Sequence, residues 1–173
     1  MEHNETVSVF IGTEELHAKV RELAQRISTD YRDRDLFLVG LLKGSFIFLA
    51  DLIRELTVPA EVDFMAATSY VGKKSSGNLL ILKNLNESIA GKHVLIVEDI
   101  IDTGLTLSEI YQRLLLEQPA SLEICTLLDK PVRRVKEVPV TYTGFTIPDA
   151  FVVGYGIDYD ERYRWLPYIG AVE

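Results

Sequence analysis

Residues 93–107 read HVLIVEDIIDTGLTL, and the fold turns on how that stretch divides. Val94 to Val97 are all apolar, as in a strand covered on both faces. Glu98, Asp99 and Asp102 then arrive within five positions, followed by Thr103, Gly104 and Thr106. An amphipathic stretch comes next and predicts a helix from about Leu107 to about Glu117, with Thr106-Leu107-Ser108-Glu109 matching a capping box. The stretch is therefore a buried strand, an acidic turn and the start of a helix.

Working outward, the apolar periodicity alternates between strands and helices. Thr13 reads as the N-cap of a helix to about Ser28, with Leu16, Val20, Leu23, Ala24 and Ile27 on one face. Residues 35–42 form a nearly continuous apolar run, expected as a strand, and 46–56 a helix. Strands are also expected over 62–69, 79–82, 122–128, 141–145 and 151–153. SYVGKKSSGN, residues 69–78, has no periodicity and reads as part of a mobile loop over roughly 70–80. Strands alternating with helices predict an α/β fold with a mainly parallel sheet and right-handed crossovers. The helix-poor tail, with the N-terminal segment, would form a smaller appended layer. Ligands of such sheets bind beyond the carboxyl ends of the strands. Loops after residues 42, 69, 97 and 128 all follow predicted strands, so they converge on one expected site.

The bulk composition bounds the answer. A chain of 173 residues is most naturally one domain, long enough to bury roughly 70% of its unfolded surface without staples. There is one cysteine, Cys125, on an apolar strand, where packing is its expected role. The polar start, MEHNETVSVF, resembles neither a signal peptide nor an anchor, so a cytoplasmic, membrane-free protein is expected. A net charge of −8 argues against a broad nucleic-acid surface. Phosphate-loop, dinucleotide, EF-hand, zinc and serine-hydrolase motifs are all missing.

The turn itself has definite chemistry. Backbone N–H groups of Thr103, Gly104, Leu105 and Thr106 at a helix N-terminus make an anion pocket suited to a phosphate. Glu98 and Asp99 accept hydrogen bonds, which suits sugar hydroxyls or a hydrated Mg²⁺. Asp102 stands between them, placed for proton exchange. Capping preference alone accounts for one Asp or Thr here, but not for three acids directly behind an apolar strand.

The run VLIVEDIIDTGLTL resembles the phosphoribosyl-pyrophosphate (PRPP) motif of type I phosphoribosyltransferases, nearest to their hypoxanthine-guanine branch. Three further stretches are similar to that family. LLKGSFIFLADLIREL resembles its pyrophosphate loop, in which a cis peptide precedes the lysine, here Leu42–Lys43. VDFMAATSY with the following loop resembles the closing segment. LLDKP and FVVGYGIDYDERYRWLPYIG resemble the purine- and metal-binding segments.

The resemblance implies a type I phosphoribosyltransferase-like twisted, mainly parallel sheet flanked by helices, with a core over roughly 30–135. A small hood would come from the N-terminal segment and roughly 136–173. It further implies that Glu98 and Asp99 bind the ribose hydroxyls directly or through Mg²⁺, and that residues 102–106 (Asp102, Thr103, Gly104, Leu105, Thr106) hold the 5′-phosphate. Asp102 would exchange a proton at purine N7. Lys130 would bond the 6-oxo group, Phe151 would stack on the base and the Val152 backbone would meet its edge. Asp158 would help hold a second Mg²⁺ beside the purine site. Lys43, Gly44 and Arg164 would hold pyrophosphate, with Ser69 and Tyr70 at the base of the closing loop. The implied partners are PRPP, a 6-oxopurine and further copies of the chain, as a dimer or tetramer.

Read on residue type alone, several of these positions are bland. Lys130 is then a solvated lysine at a strand end, and Arg133-Arg134 solvated charge. Phe151 is a core aromatic, Asp158 and Asp160 an exposed strand face, and Trp165 a core or interface anchor. Two other functions stay open at this stage. One is a PRPP-fold regulator that senses nucleotides and binds RNA, which needs a basic face against a pI near 4.9. The other is transfer to a different base, such as xanthine.

Overall fold

The computed structural model describes residues 6–69 and 79–173. Tyr70, and all of the expected 70–80 loop except its last two residues, lie outside the described residues. Chain order is β1 (Val7–Ile11), α1 (Thr13–Asp30), β2 (Leu36–Leu42), α2 (Phe46–Glu55), β3 (Ala60–Ser69), β4 (Leu79–Lys83) and β5 (His93–Ile101). Then come α3 (Leu105–Leu115), β6 (Ser121–Asp129), β7 (Val140–Thr146), β8 (Val152–Val153) and β9 (Ile169–Val172).

Six strands form the main sheet in the order β4-β3-β2-β5-β6-β7. Every pairing is parallel except β3 with β4. The apolar runs belong to strands buried on both faces, and the period of two sorts their side chains. Leu36 and Leu38 of β2, with Leu95 and Val97 of β5, pack under α1 and α2. Phe37, Val39 and Leu41, with Val94 and Ile96, pack under α3. The buried face of α1 is Leu16, Val20, Leu23, Ala24, Ile27 and Ser28, as its periodicity predicts. Cys125 is buried in the same core, which pushes its thiol up to about 12. No helix among the described residues is long and apolar enough to cross a membrane.

Three details differ from the sequence reading. The N-cap of α1 is Gly12, while the Thr13 hydroxyl donates instead to the Pro167 carbonyl at 2.9 Å and ties the tail to this helix. The main sheet does not end near residue 135. β7 runs parallel to β6 to Thr146, so the aromatic-rich composition of this part of the tail belongs to the sheet. What remains beyond it joins the N-terminal segment in an antiparallel sheet, β1-β9-β8. That smaller sheet shares the α1/α2 core through Val152 and Ile169, joined by Tyr155 and Ile157 from the turn after β8.

Candidate active site

The strand order reverses between β2 and β5: one half of the chain winds outward through β3, the other through β6. Such a switch point opens a crevice at the strand ends. Here β2 and β5 pair from Leu36↔His93 to Gly40↔Val97 and then part. β5 continues beside β6 to Ile101↔Asp129, so Glu98 and Asp99 lie on the strand and not in a loop after Val97. Backbone pairing with β6 carries the strand through its own acids, while the missing β2 neighbour leaves one side open.

Glu98 and Asp99 stand at that opening. The Glu98 carboxylate accepts the Asp99 N–H at 3.0 Å, and Asp99 accepts the Ile100 N–H at 2.8 Å. Burial, and next the neighbouring Asp99 charge, push the Glu98 carboxyl well above the usual carboxylate range. An oxygen set of one or two carboxylates suits Mg²⁺ completed by substrate oxygens and water. Among the described residues no three His, Cys, Asp or Glu side chains gather as an all-protein cage. Gly44 faces the pair: a Cβ there would lie 1.9 Å from an Asp99 carboxylate oxygen.

The helix α3 begins two residues before the expected start. Gly104 is its N-cap in a left-handed conformation, φ 80°, so Thr106 lies inside the first turn and the capping box does not form. The Thr103 carbonyl is held by the Val135 and Lys136 N–H groups at 2.8 and 3.0 Å, which turns the chain sharply there. Ser108 N–H is bonded to the Gly104 carbonyl at 2.9 Å and Leu105 N–H reaches the Thr103 hydroxyl at 3.4 Å, while the other first-turn N–H groups have no acceptor within the helix. A cleft of about 190 Å³ opens over this end, lined by Glu98, Ile100, Ile101, Asp102, Thr103, Gly104, Thr106 and Leu107. A larger cleft of about 540 Å³ near Gln25, Arg32 and Pro59 holds none of the expected site residues.

Arg134 is the scaffold residue the sequence reading passed over as solvated charge. It is buried, paired with Asp129 at the end of β6, and donates from Nε to the Asp102 carbonyl at 3.2 Å. The Asp129–Arg134 spacing matches neither helix nor strand periodicity, so nothing in the chain marked the pair. Lys130, likewise expected to be solvated on residue type, is only 6% exposed. Its N–H donates to the Ile101 carbonyl at 3.0 Å, and its ammonium lies 3.9 Å from Asp149.

The tail completes the setting. Phe151 is no core aromatic: it is 52% exposed and meets Tyr159 edge-on at 5.2 Å between centroids, while Val152 is buried. Trp165, too, lies outside the core and stacks on Tyr163. Asp160 lies in a turn at φ 50° and Asp158 just before it in no regular strand, so the two do not share a strand face. Arg164 donates to the Gly156 carbonyl at 2.7 Å and pairs with Asp158 at 3.2 Å and Glu161 at 3.3 Å. Glu161 also accepts from Lys43 at 3.0 Å, so one carboxylate gathers Lys43 and Arg164. The Leu42–Lys43 peptide is cis, as expected. Ser69 ends β3.

Comparison with known proteins identifies relatives over almost the whole chain. The phosphoribosyl transferase domain model matches residues 12–160. The hypoxanthine phosphoribosyltransferase of Salmonella typhimurium is 57% identical over 170 residues, covering 96% of each chain. The hypoxanthine-guanine phosphoribosyltransferase of Mycobacterium avium is 47% identical, covering 96% of this chain and 85% of its own. The crystal structure of a hypoxanthine-guanine phosphoribosyltransferase from Bacillus anthracis superimposes with a TM-score of 0.91 at 43% identity, covering 98% and 99% of the two chains.

Proposed function

The chain belongs to the phosphoribosyl transferase domain family, and on that premise we propose that its crevice is the active site of a purine-salvage enzyme. The enzyme transfers the 5-phosphoribosyl group of PRPP to N9 of hypoxanthine or guanine, giving IMP or GMP and pyrophosphate. One observation carries the reading at the level of residues. Paired acids, an open helix N-terminus and a buried lysine sit together at one end of the sheet, at its switch point.

In this reading the N–H groups and hydroxyls of residues 102–106 hold the 5′-phosphate. Glu98 and Asp99 hold the ribose hydroxyls. Lys43, Gly44 and Arg164 receive pyrophosphate. The C1–O bond breaks as the N9–C1 bond forms, and the proton released at N7 passes to Asp102. Among the described residues no side chain is placed as a nucleophile, so inversion at C1 is expected. Lys130 donates to the 6-oxo group, which a 6-amino group cannot accept, and Phe151 offers its exposed ring to the base. Glu98 and Asp99, with Asp158, would hold Mg²⁺, which when bound would supply charge stabilisation for a pyrophosphate leaving group. The protein is expected to be cytoplasmic and to assemble as a dimer or tetramer.

The test is a nucleotide-formation assay with PRPP, Mg²⁺ and hypoxanthine, guanine, xanthine, adenine or uracil, run with the wild type and Asp102→Asn. IMP and GMP should form, and kcat should fall about a hundred- to ten-thousand-fold in the variant. Turnover of adenine or uracil alone would overturn the role of Lys130. PRPP binding without any turnover would overturn catalysis in favour of a regulator.

A further inference from the structure

Lys130 and Asp102 stand at the ends of different strands, yet a chain of alternating charge joins them. Residues Pro131–Arg133 form a single 3₁₀ turn with Lys130 as its N-cap, closed by the Arg133 N–H on the Lys130 carbonyl at 3.2 Å. Residues three apart eclipse in such a turn, so Lys130 and Arg133 share a face. Both turn to one carboxylate oxygen of Asp149, each at 3.9 Å. Arg133 then reaches Asp102 with Nε at 3.3 Å. The Asp102 oxygen it faces is buried and takes part in no hydrogen bond. Arg133 therefore offsets the Asp102 charge from the buried oxygen, and the exposed remainder of this 42% exposed side chain is left for a substrate N–H.

We propose that Arg133 and Asp149 are positioning residues of the purine site, a bridge that sets the Lys130 ammonium and the Asp102 carboxylate against neighbouring atoms of one 6-oxopurine. This rests on the base-binding roles given above to Lys130 and Asp102. O6 and N7 are adjacent on the same edge of such a base, so a donor and an acceptor must be held at matching spacing. Asp149 is also the one carboxylate within ion-pair distance of the buried Lys130 ammonium among the described residues. Arg133 and Asp149 themselves are half-exposed, and such pairs add little to folding stability. Their effect should appear in base affinity and not in melting.

The experiment varies hypoxanthine and PRPP separately in wild type, Arg133→Met, Arg133→Lys, Asp149→Asn and the Arg133→Met/Asp149→Asn double variant, with thermal melting beside it. In the single charge-removing variants KM for hypoxanthine should rise roughly tenfold, as for one lost charged contact. KM for PRPP and the melting temperature should stay at wild-type values. The double variant should be no worse than its worse parent, because both break the same bridge, and Arg133→Lys should recover part of the loss. An unchanged hypoxanthine KM in Arg133→Met, or a loss in every parameter together with melting, would overturn the bridge while the enzyme reading stands. A wild type that forms no nucleotide would overturn that reading first. If Asp149→Asn does not fold, the exposed Arg133→Met decides the matter alone.

Discussion

At the scale of single residues, the site is a problem of room and of charge. Gly44 shows the first. It sits where the chain leaves β2, and any side chain there would enter the space of the Asp99 carboxylate. A contact of 1.9 Å cannot be absorbed by a flexible tip, because the Asp99 carboxylate is itself fixed on the Ile100 N–H. Gly44→Ala should therefore fold, since the strain is local to a loop end, but displace Asp99 and raise KM for PRPP at least tenfold. Steady-state kinetics with PRPP varied checks this, and an unchanged KM would mean that the position of the Asp99 carboxylate does not matter for PRPP. Charge was legible in some residues and hidden in others. Glu98, Asp99 and Asp102 stand out because three acids interrupt an apolar run. Lys130 and Arg134 did not, because burial of a cation depends on partners distant in the chain or off the regular periods, such as Asp149 and Asp129.

At the scale of elements, periodicity found nearly every strand and helix, while their ends were set by contacts that periodicity does not encode. β5 runs past its apolar stretch because β6 pairs with it, and α3 starts early because Gly104 takes a left-handed turn. β3 and β4 are joined by a similar hidden contact. Asp63 is buried in β3 and accepts the N–H groups of Phe64 and Asn86 at 2.7 Å, and Lys83 of β4 at 3.1 Å. Burial alone would raise its carboxyl, but these donors outweigh it and hold it below the usual range. A carboxyl lowered in the folded state adds stability that is present above its unfolded value of 3.8 and lost as pH falls through its folded value. Asp63→Asn should cost about 1–3 kcal/mol near neutrality, and the gap from wild type should close below the ordinary carboxylate range. Urea unfolding across pH reads this directly; a gap independent of pH would assign the loss to packing.

The strap of residues 158–164 carries a second prediction at this scale. Asp160, Glu161 and Tyr163 all have positive φ, a costly run for residues other than glycine, and the turn delivers Glu161 to both Lys43 and Arg164. Lys43 holds the Glu161 carboxyl below its ordinary range, so it stays ionised at neutral pH. An internal carboxylate thus sits where an anionic pyrophosphate is proposed to bind. Glu161→Gln should lower KM for PRPP a few-fold and strengthen product inhibition by pyrophosphate, with the hypoxanthine KM unchanged. A higher KM for PRPP would show instead that Glu161 helps to build the site.

At the scale of the whole molecule, the net charge of −8 sets the conditions under which a polyanion can bind. The parallel sheet and the strand ends that hold the site were foreseeable from alternating elements, because that pattern admits few topologies. The assembly was not, because no stripe of the sequence marks an interface. Charge is informative at this scale too. Where a basic protein steers anions and loses that advantage in salt, an acidic one repels them, and its own cations here are already matched by Glu161 and Asp158. Two consequences follow for a substrate that carries several negative charges. Chelation of divalent ions should abolish nucleotide formation, and Mg²⁺ should restore it, since in the proposed site Glu98 and Asp99 would otherwise meet the ribose as bare acids. At saturating Mg²⁺, raising salt from about 20 to about 150 mM should leave KM for PRPP flat or lower it, because screening weakens repulsion. A steep rise in KM with salt would mean that cations outside the pairs described here dominate capture, and would locate attraction elsewhere on the surface than the crevice between β2 and β5.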